Sequence, residues 1–160
     1  MFTVHKVEAK RVDQYYMRLA LEEAKKAYDK GEVPIGAVVV RKGEVIATGY
    51  NLREALKEAT AHAEIIAIRK ACEKAGGWRL TESAIYVTIE PCPMCAGAIL
   101  QSRIDRVVIG AMDSKAGACG SIVNLLDNKA FNHQVEIVTG VLKEECSDIM
   151  KKFFRQLRKK

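Results

Sequence analysis

The chain has 160 residues, 49% of them hydrophobic and 29% charged, an ordinary globular balance that suits one domain with its own core. No apolar run approaches the ~20 residues of a membrane span, and the N-terminal stretch MFTVHKVEAKRVDQYY has no apolar signal-peptide centre, so neither a membrane partner nor secretion is expected. Its 5 cysteines, an odd number, argue against a disulfide framework and for a reducing, cytoplasmic setting, and its formal net charge of +6 invites an acidic partner.

Residues 13–30 are expected to form the first helix. Asp13 caps it, Met17, Ala20, Leu21, Ala24, Ala27 and Tyr28 make one apolar face, and Gly31 ends it. IGAVVV (35–40) and EVIATGY (44–50), joined through Gly43, are expected to form a β-hairpin. AHAEIIAIRKACEKA (61–75) has helical periodicity and stops at Gly76 and Gly77. AIYVTI (84–89) is a buried strand, with a short helix from about Met94 to Ser102 after it. RVVIGA (106–111) is a further strand, DSKAGACGS a glycine-rich loop, IVNLLDN a short helix and VEIVTG a last strand. From Lys143 to about residue 158 the chain is again helical. Helices alternate with apolar strands and no linker or repeat interrupts them, which predicts one layered α/β domain over residues 1–160. Its single sheet lies between helices and is mixed, because the first two strands form a hairpin.

The last ten residues, KKFFRQLRKK, carry Lys151, Lys152, Arg155, Arg158, Lys159 and Lys160 and no acid, so this tail alone matches the excess charge. Cations near a helix C-terminus also suit its dipole. Phe153 and Phe154 lie inside the run, however, and aromatic rings among cations are what a single-stranded nucleic acid site uses.

Two of the 3 prolines flank Cys92 in the segment TIEPCPMCAG. A C-x-x-C pair is half of a zinc site. Cys72 and Cys146 fall in helical patterns and read as small core residues, while Cys119 in the glycine-rich loop stays open. The better partner is TAHAEI, where His62 opens a helix and is followed by Glu64. Cys92 and Cys95 also open a helix, where exposed N–H groups favour thiolate. Three ligands, His62, Cys92 and Cys95, leave a fourth position for water, which marks a catalytic zinc and not a structural one. Glu64 is then the general acid and base beside it. The combined pattern H-A-E then P-C-x-x-C is the known signature of zinc nucleobase deaminases.

The stretches GEVPIGAVVV, TAHAEI, YVTIEPCPMCAGAI, SRIDRVVIGAMDSKAGACGS, NHQVEI and FFRQLR together resemble the bacterial tRNA-specific adenosine deaminases, which make inosine at the anticodon wobble position. The resemblance runs from about Tyr16 to Phe154. It implies a cytidine deaminase-like fold, a three-layer α/β/α arrangement around a mixed five-stranded sheet. It implies one Zn²⁺ per subunit on His62, Cys92 and Cys95, with Glu64 as the catalytic proton carrier. It further implies a tRNA anticodon stem-loop as substrate, a homodimer, and a site close to the dimer interface. For the nucleotides, it implies Asn51 and Asn132 at the target, Val33 and Pro34 on the ribose or base, and Ala63 in the substrate site. Asp113, Lys115, Phe154 and Arg155 would hold the flanking nucleotides. The family usually has Asp-Pro ahead of the Thr-Ala-His-Ala-Glu stretch, and this chain has Glu58 and Ala59, a less rigid loop. His133 reads as structural.

Two rival readings share parts of this pattern. A free-base or nucleoside deaminase acting on guanine or cytosine has the same metal motif but little use for a cationic tail. A zinc-stabilised RNA-binding module without turnover has no use for Glu64.

Overall fold

A computed structural model describes residues 2–160, with side chains from Val4 onward. Five strands and five helices follow in the order α1 (Phe2–Asp29), β1 (Gly36–Arg41), β2 (Glu44–Tyr50), α2 (Arg53–Leu56), α3 (Ala63–Ala75), β3 (Ser83–Ile89), α4 (Pro93–Gln101), β4 (Arg106–Ala111), β5 (Glu136–Thr139) and α5 (Lys143–Arg158). The sheet order is β2-β1-β3-β4-β5. β1 runs antiparallel to both β2 and β3, while β3, β4 and β5 are parallel. The expected mixed sheet is therefore present, with the two-residue turn Lys42–Gly43 closing the hairpin at positive φ in both positions.

Alternation along the strands splits the core into two layers. Ala37, Val39, Ile85, Val87, Val107 and Ile109 face α3 and α4 through Ala67, Ile68 and Ile99. Val38, Val40, Tyr86 and Val108 face α1 and α5 through Met17, Ala20, Leu21 and Cys146. The result is a three-layer α/β/α sandwich. Cys146 and Cys119 are buried and Cys72 is partly buried against the first layer.

Three expectations need correction. The first helix begins at Phe2, because nothing in FTVHKVEAKRV interrupts a helix; its residues 4–12 are all exposed. Asp13 is consequently mid-helix and caps nothing. It is buried and accepts a two-pronged pair from Arg106 at 2.7 Å on each oxygen, and the Tyr86 hydroxyl donates to it at 2.8 Å. IVNLLDN does not form a helix. The Asn124 carboxamide oxygen accepts the backbone N–H groups of Leu126 and Asp127, both at 3.1 Å, which offers that backbone an alternative to helical bonding. In exchange, α2 forms a single turn that periodicity did not announce.

Candidate active site and its groove

Two helix N-termini meet at one end of the sheet. His62 is the N-cap of α3 and Cys92 the N-cap of α4, both with extended backbone, and neither side chain caps its helix. Pro93 at the first position of α4 has no N–H to leave unpaired and presets the helical φ. Gly49 lets α3 approach β2, since a Cβ there would fall 2.5 Å from the Ala63 carbonyl oxygen. Cys95 follows one turn after Cys92 on the same face.

His62 Nδ1 lies 3.6 Å from Cys92 Sγ and 3.5 Å from Cys95 Sγ. A tetrahedral zinc, at about 2.3 Å from sulfur and about 2.0–2.1 Å from nitrogen, separates such donors by about 3.6 Å. Among the described residues these three form the cluster whose ligand atoms could converge on one metal ion. One imidazole and two sulfurs suit zinc. Cys119 is not in the cluster; burial pushes its thiol up to about 12.

Glu64 is buried in the first turn of α3, and its carboxyl is pushed above the usual carboxylate range by burial, against hydrogen bonds from its own N–H and from Cys95. The Cys95 hydrogen bond and then His62 hold the Cys92 thiol down to about 4 despite burial. Cys95, which shares its proton with Cys92 and is buried, is raised well above an ordinary thiol. Pairing with Cys92 raises His62 against the opposing effect of burial. Such a cluster holds one negative charge ready and one proton to give up.

A groove of about 960 Å³ opens over His62, Glu64 and Cys92 and runs out to Lys151, Phe154, Arg155 and Arg158 of α5. Val33, Asp113 and Lys115 also line it, as does Arg53, which the sequence reading did not single out. The expected nucleotide contacts divide here. Val33, Asp113, Lys115, Phe154 and Arg155 share the groove with His62, Glu64 and Cys92. Pro34 and Ala63 are buried. Asn51 is 5% exposed and ties two loops: its Nδ2 donates to the Val33 carbonyl at 3.3 Å and its Oδ1 accepts from Arg53 N–H at 3.3 Å. Asn132 is exposed on the loop before β5, beside His133, whose Nε2 pairs with the Ile104 carbonyl at 2.7 Å.

The Glu58–Ala59 segment is tied by its own backbone. Leu52 N–H donates to Ala61, Glu58 N–H to Arg53 and His62 N–H to Thr60, at 3.0, 3.2 and 2.8 Å. Two buried carboxylates beside the site, Glu32 and Glu90, were not singled out from the sequence. Glu32 accepts the Glu54 and Ala55 N–H groups at the start of α2. Glu90 gathers the loop that follows β4. The signal in each case was an acid embedded in an apolar stretch, GEVPIG and YVTIEP.

A family profile for MafB19-like deaminases matches residues 12–158. A tRNA-specific adenosine deaminase of Bacillus subtilis (strain 168) is 55% identical over 148 residues, covering 92% of each chain. A chloroplastic tRNA(adenine(34)) deaminase of Arabidopsis thaliana is 47% identical over 96% of this chain, which spans 13% of that protein. A solved structure from work on A-to-I editing by tRNA:A34 deaminases at the wobble position of transfer RNA superposes with a TM-score of 0.81. It is 45% identical and covers 84% of this chain and 98% of its own. A guanine deaminase from Nitrosomonas europaea, 23% identical, shares the fold, with a TM-score of 0.74 over 88% of this chain and 83% of its own.

Proposed function

The chain belongs to the family of tRNA-specific adenosine deaminases, and we propose from this that it converts adenosine to inosine by hydrolysis at the wobble position of a tRNA anticodon. The observation that carries the reading is one groove that joins the His62–Cys92–Cys95 cluster and Glu64 to the cationic, aromatic face of α5. A small-molecule site gains nothing from that extension, and a binding module gains nothing from Glu64.

His62, Cys92 and Cys95 would hold one Zn²⁺. When bound, the metal supplies the Lewis acidity that makes water a nucleophile at neutral pH. Glu64 takes the proton that the attacking water gives up and passes it to N1 of adenine. It then carries the proton of the hydroxyl now on C6 to the amino group, which leaves as ammonia while C6 keeps the oxygen. Burial raises the proton affinity of the Glu64 carboxylate, which suits it to accept the proton from water before passing it on.

A stacked base cannot reach Glu64, so the adenosine must come from a splayed single-stranded loop. Val33 would pack on its ribose or base, with Pro34 fixing the backbone behind it. Asn51 would hydrogen-bond the purine; one hydrogen of its Nδ2 is used on Val33, which leaves the second for an acceptor. The Ala63 methyl is fully buried, so Ala63 would act through its first-turn N–H. Asn132 would contribute to the same target site. Asp113, Lys115, Phe154 and Arg155 would hold the flanking nucleotides. We further read the protein as a cytoplasmic homodimer; the exposed Ile122, Val123 and Phe131 support an apolar partner surface, and no helix among the described residues is long and apolar enough to cross a membrane. Sedimentation of the purified protein tests the dimer.

Glu64→Ala tests the catalytic reading. The variant should still bind an anticodon stem-loop and its metal while forming no inosine. Inosine formation at the wild-type rate would remove Glu64 from the chemistry.

A further inference from the structure

Glu90 is the first residue after β3 and is followed directly by Pro91 and Cys92. It is 3% exposed, yet among the described residues no cation pairs with it. Its partners are all donors of one segment, the glycine-rich loop after β4. Oε1 accepts Asp113 N–H at 2.9 Å and the Ser121 hydroxyl. Oε2 accepts Cys119 N–H at 3.0 Å and Ser121 N–H at 3.1 Å. A Cβ at Gly117 would overlap the carboxylate, so only glycine lets the loop close over it.

The same loop carries groove-lining residues from Met112 to Ala116. Its shape depends on the anchor at both ends. Asp113, whose N–H Glu90 holds, turns its own Oδ1 back to accept Lys115 and Ala116 N–H at 3.0 and 3.2 Å. Ala118 N–H then reaches the Pro91 carbonyl at 2.9 Å. Glu90 therefore fastens the loop that bears Asp113 and Lys115 to the turn that bears Cys92.

We propose that Glu90 is a positioning residue for RNA, which sets the Asp113–Lys115 arm of the groove at a fixed distance from the metal cluster. The inference rests on the RNA reading given above. A carboxylate suits the task because it accepts all four donors at once; a glutamine of the same size offers one oxygen and turns an NH₂ toward N–H groups.

The test is steady-state kinetics of the metal-loaded protein and of Glu90→Gln on an anticodon stem-loop with a wobble adenosine, with metal content measured alongside. KM should rise about tenfold in Glu90→Gln, the loss expected when buried hydrogen bonds go unmade. The turnover number should fall by less than the rise in KM, and metal content should stay equal to wild type. Ser121→Ala, which removes one donor and leaves the backbone intact, should move KM the same way by a smaller factor, and it decides the matter if Glu90→Gln does not fold. An unchanged KM in the folded variants, or a fall in metal content and turnover without a change in KM, would overturn the role. Failure of the wild-type protein to form inosine from the stem-loop would instead remove the RNA reading itself.

Discussion

His62 and Cys92 stand at the N-caps of two different helices, thirty residues apart in sequence, and their Nδ1 and Sγ atoms lie 3.6 Å from each other. Each side chain declines the local capping bond of its own helix and turns to the other. That geometry makes the candidate metal centre a joint between α3 and α4, which is why loss of one proposed ligand should be felt in both binding and chemistry. Cys92→Ala is expected to abolish stable metal binding and inosine formation together. Metal analysis after dialysis checks it, and a fully loaded variant would contradict it.

Metal uptake should release protons. Cys92 is already a thiolate above about 4, whereas Cys95, raised by its hydrogen bond to Cys92 and by burial, keeps its proton at neutral pH in the metal-free state. Loading with zinc near neutral pH is expected to expel that proton. His62, also raised, adds a growing fraction of a second proton as pH falls. Affinity should accordingly weaken toward acid pH. Calorimetry in buffers of different ionisation enthalpy measures the number; a value of zero would contradict the assignment.

The basic face of α5 should govern affinity for RNA and leave the chemistry alone. Replacing Lys151, Arg155 and Arg158 with alanine is expected to raise KM for the stem-loop. It should flatten the dependence of log affinity on log salt by about 2, at roughly 0.7 per single-strand phosphate contact. Metal content should not change. An unaltered salt slope would make this face an ordinary solvated helix end.

The Asp13–Arg106 pair should carry stability and not activity. Arg106 is raised above its ordinary value chiefly by Asp13, and the pair is largely out of water. Asp13→Ala leaves that cation without its partner, at a cost of about 3–5 kcal/mol. The melting temperature should fall by about 10 °C. Thermal denaturation checks it, and a shift below about 2 °C would mean that Glu136, 3.4 Å from Arg106 Nε, takes over the pairing.

The parts of the fold that follow from local chemistry were legible in the sequence. Strands written in Val and Ile, helix stops at Gly31 and Gly76, and the H-A-E and P-C-x-x-C motifs each contain their own reason within a few residues. Asp13 was misread because its partner lies 93 residues away, and a buried aspartate and a capping aspartate look alike in one dimension. The IVNLLDN stretch was misread because Asn124 wins its backbone donors over helical bonding. Glu90 and Arg53 were missed because their roles exist only once the loop after β4 and the α2 segment reach the groove. Asn51 was legible as a motif residue, but its service as a tie between Val33 and Arg53 was not.

Glu64 and the His62–Cys92–Cys95 cluster are proposed to act on an adenosine presented by RNA. The most direct measurement incubates zinc-loaded protein with a tRNA anticodon stem-loop carrying adenosine at the wobble position, with free adenosine, guanine and cytidine in parallel, and quantifies inosine and the other deaminated products. Inosine from the stem-loop alone is the result predicted. Turnover of a free base or nucleoside with an untouched stem-loop would keep the metal chemistry and contradict the RNA assignment.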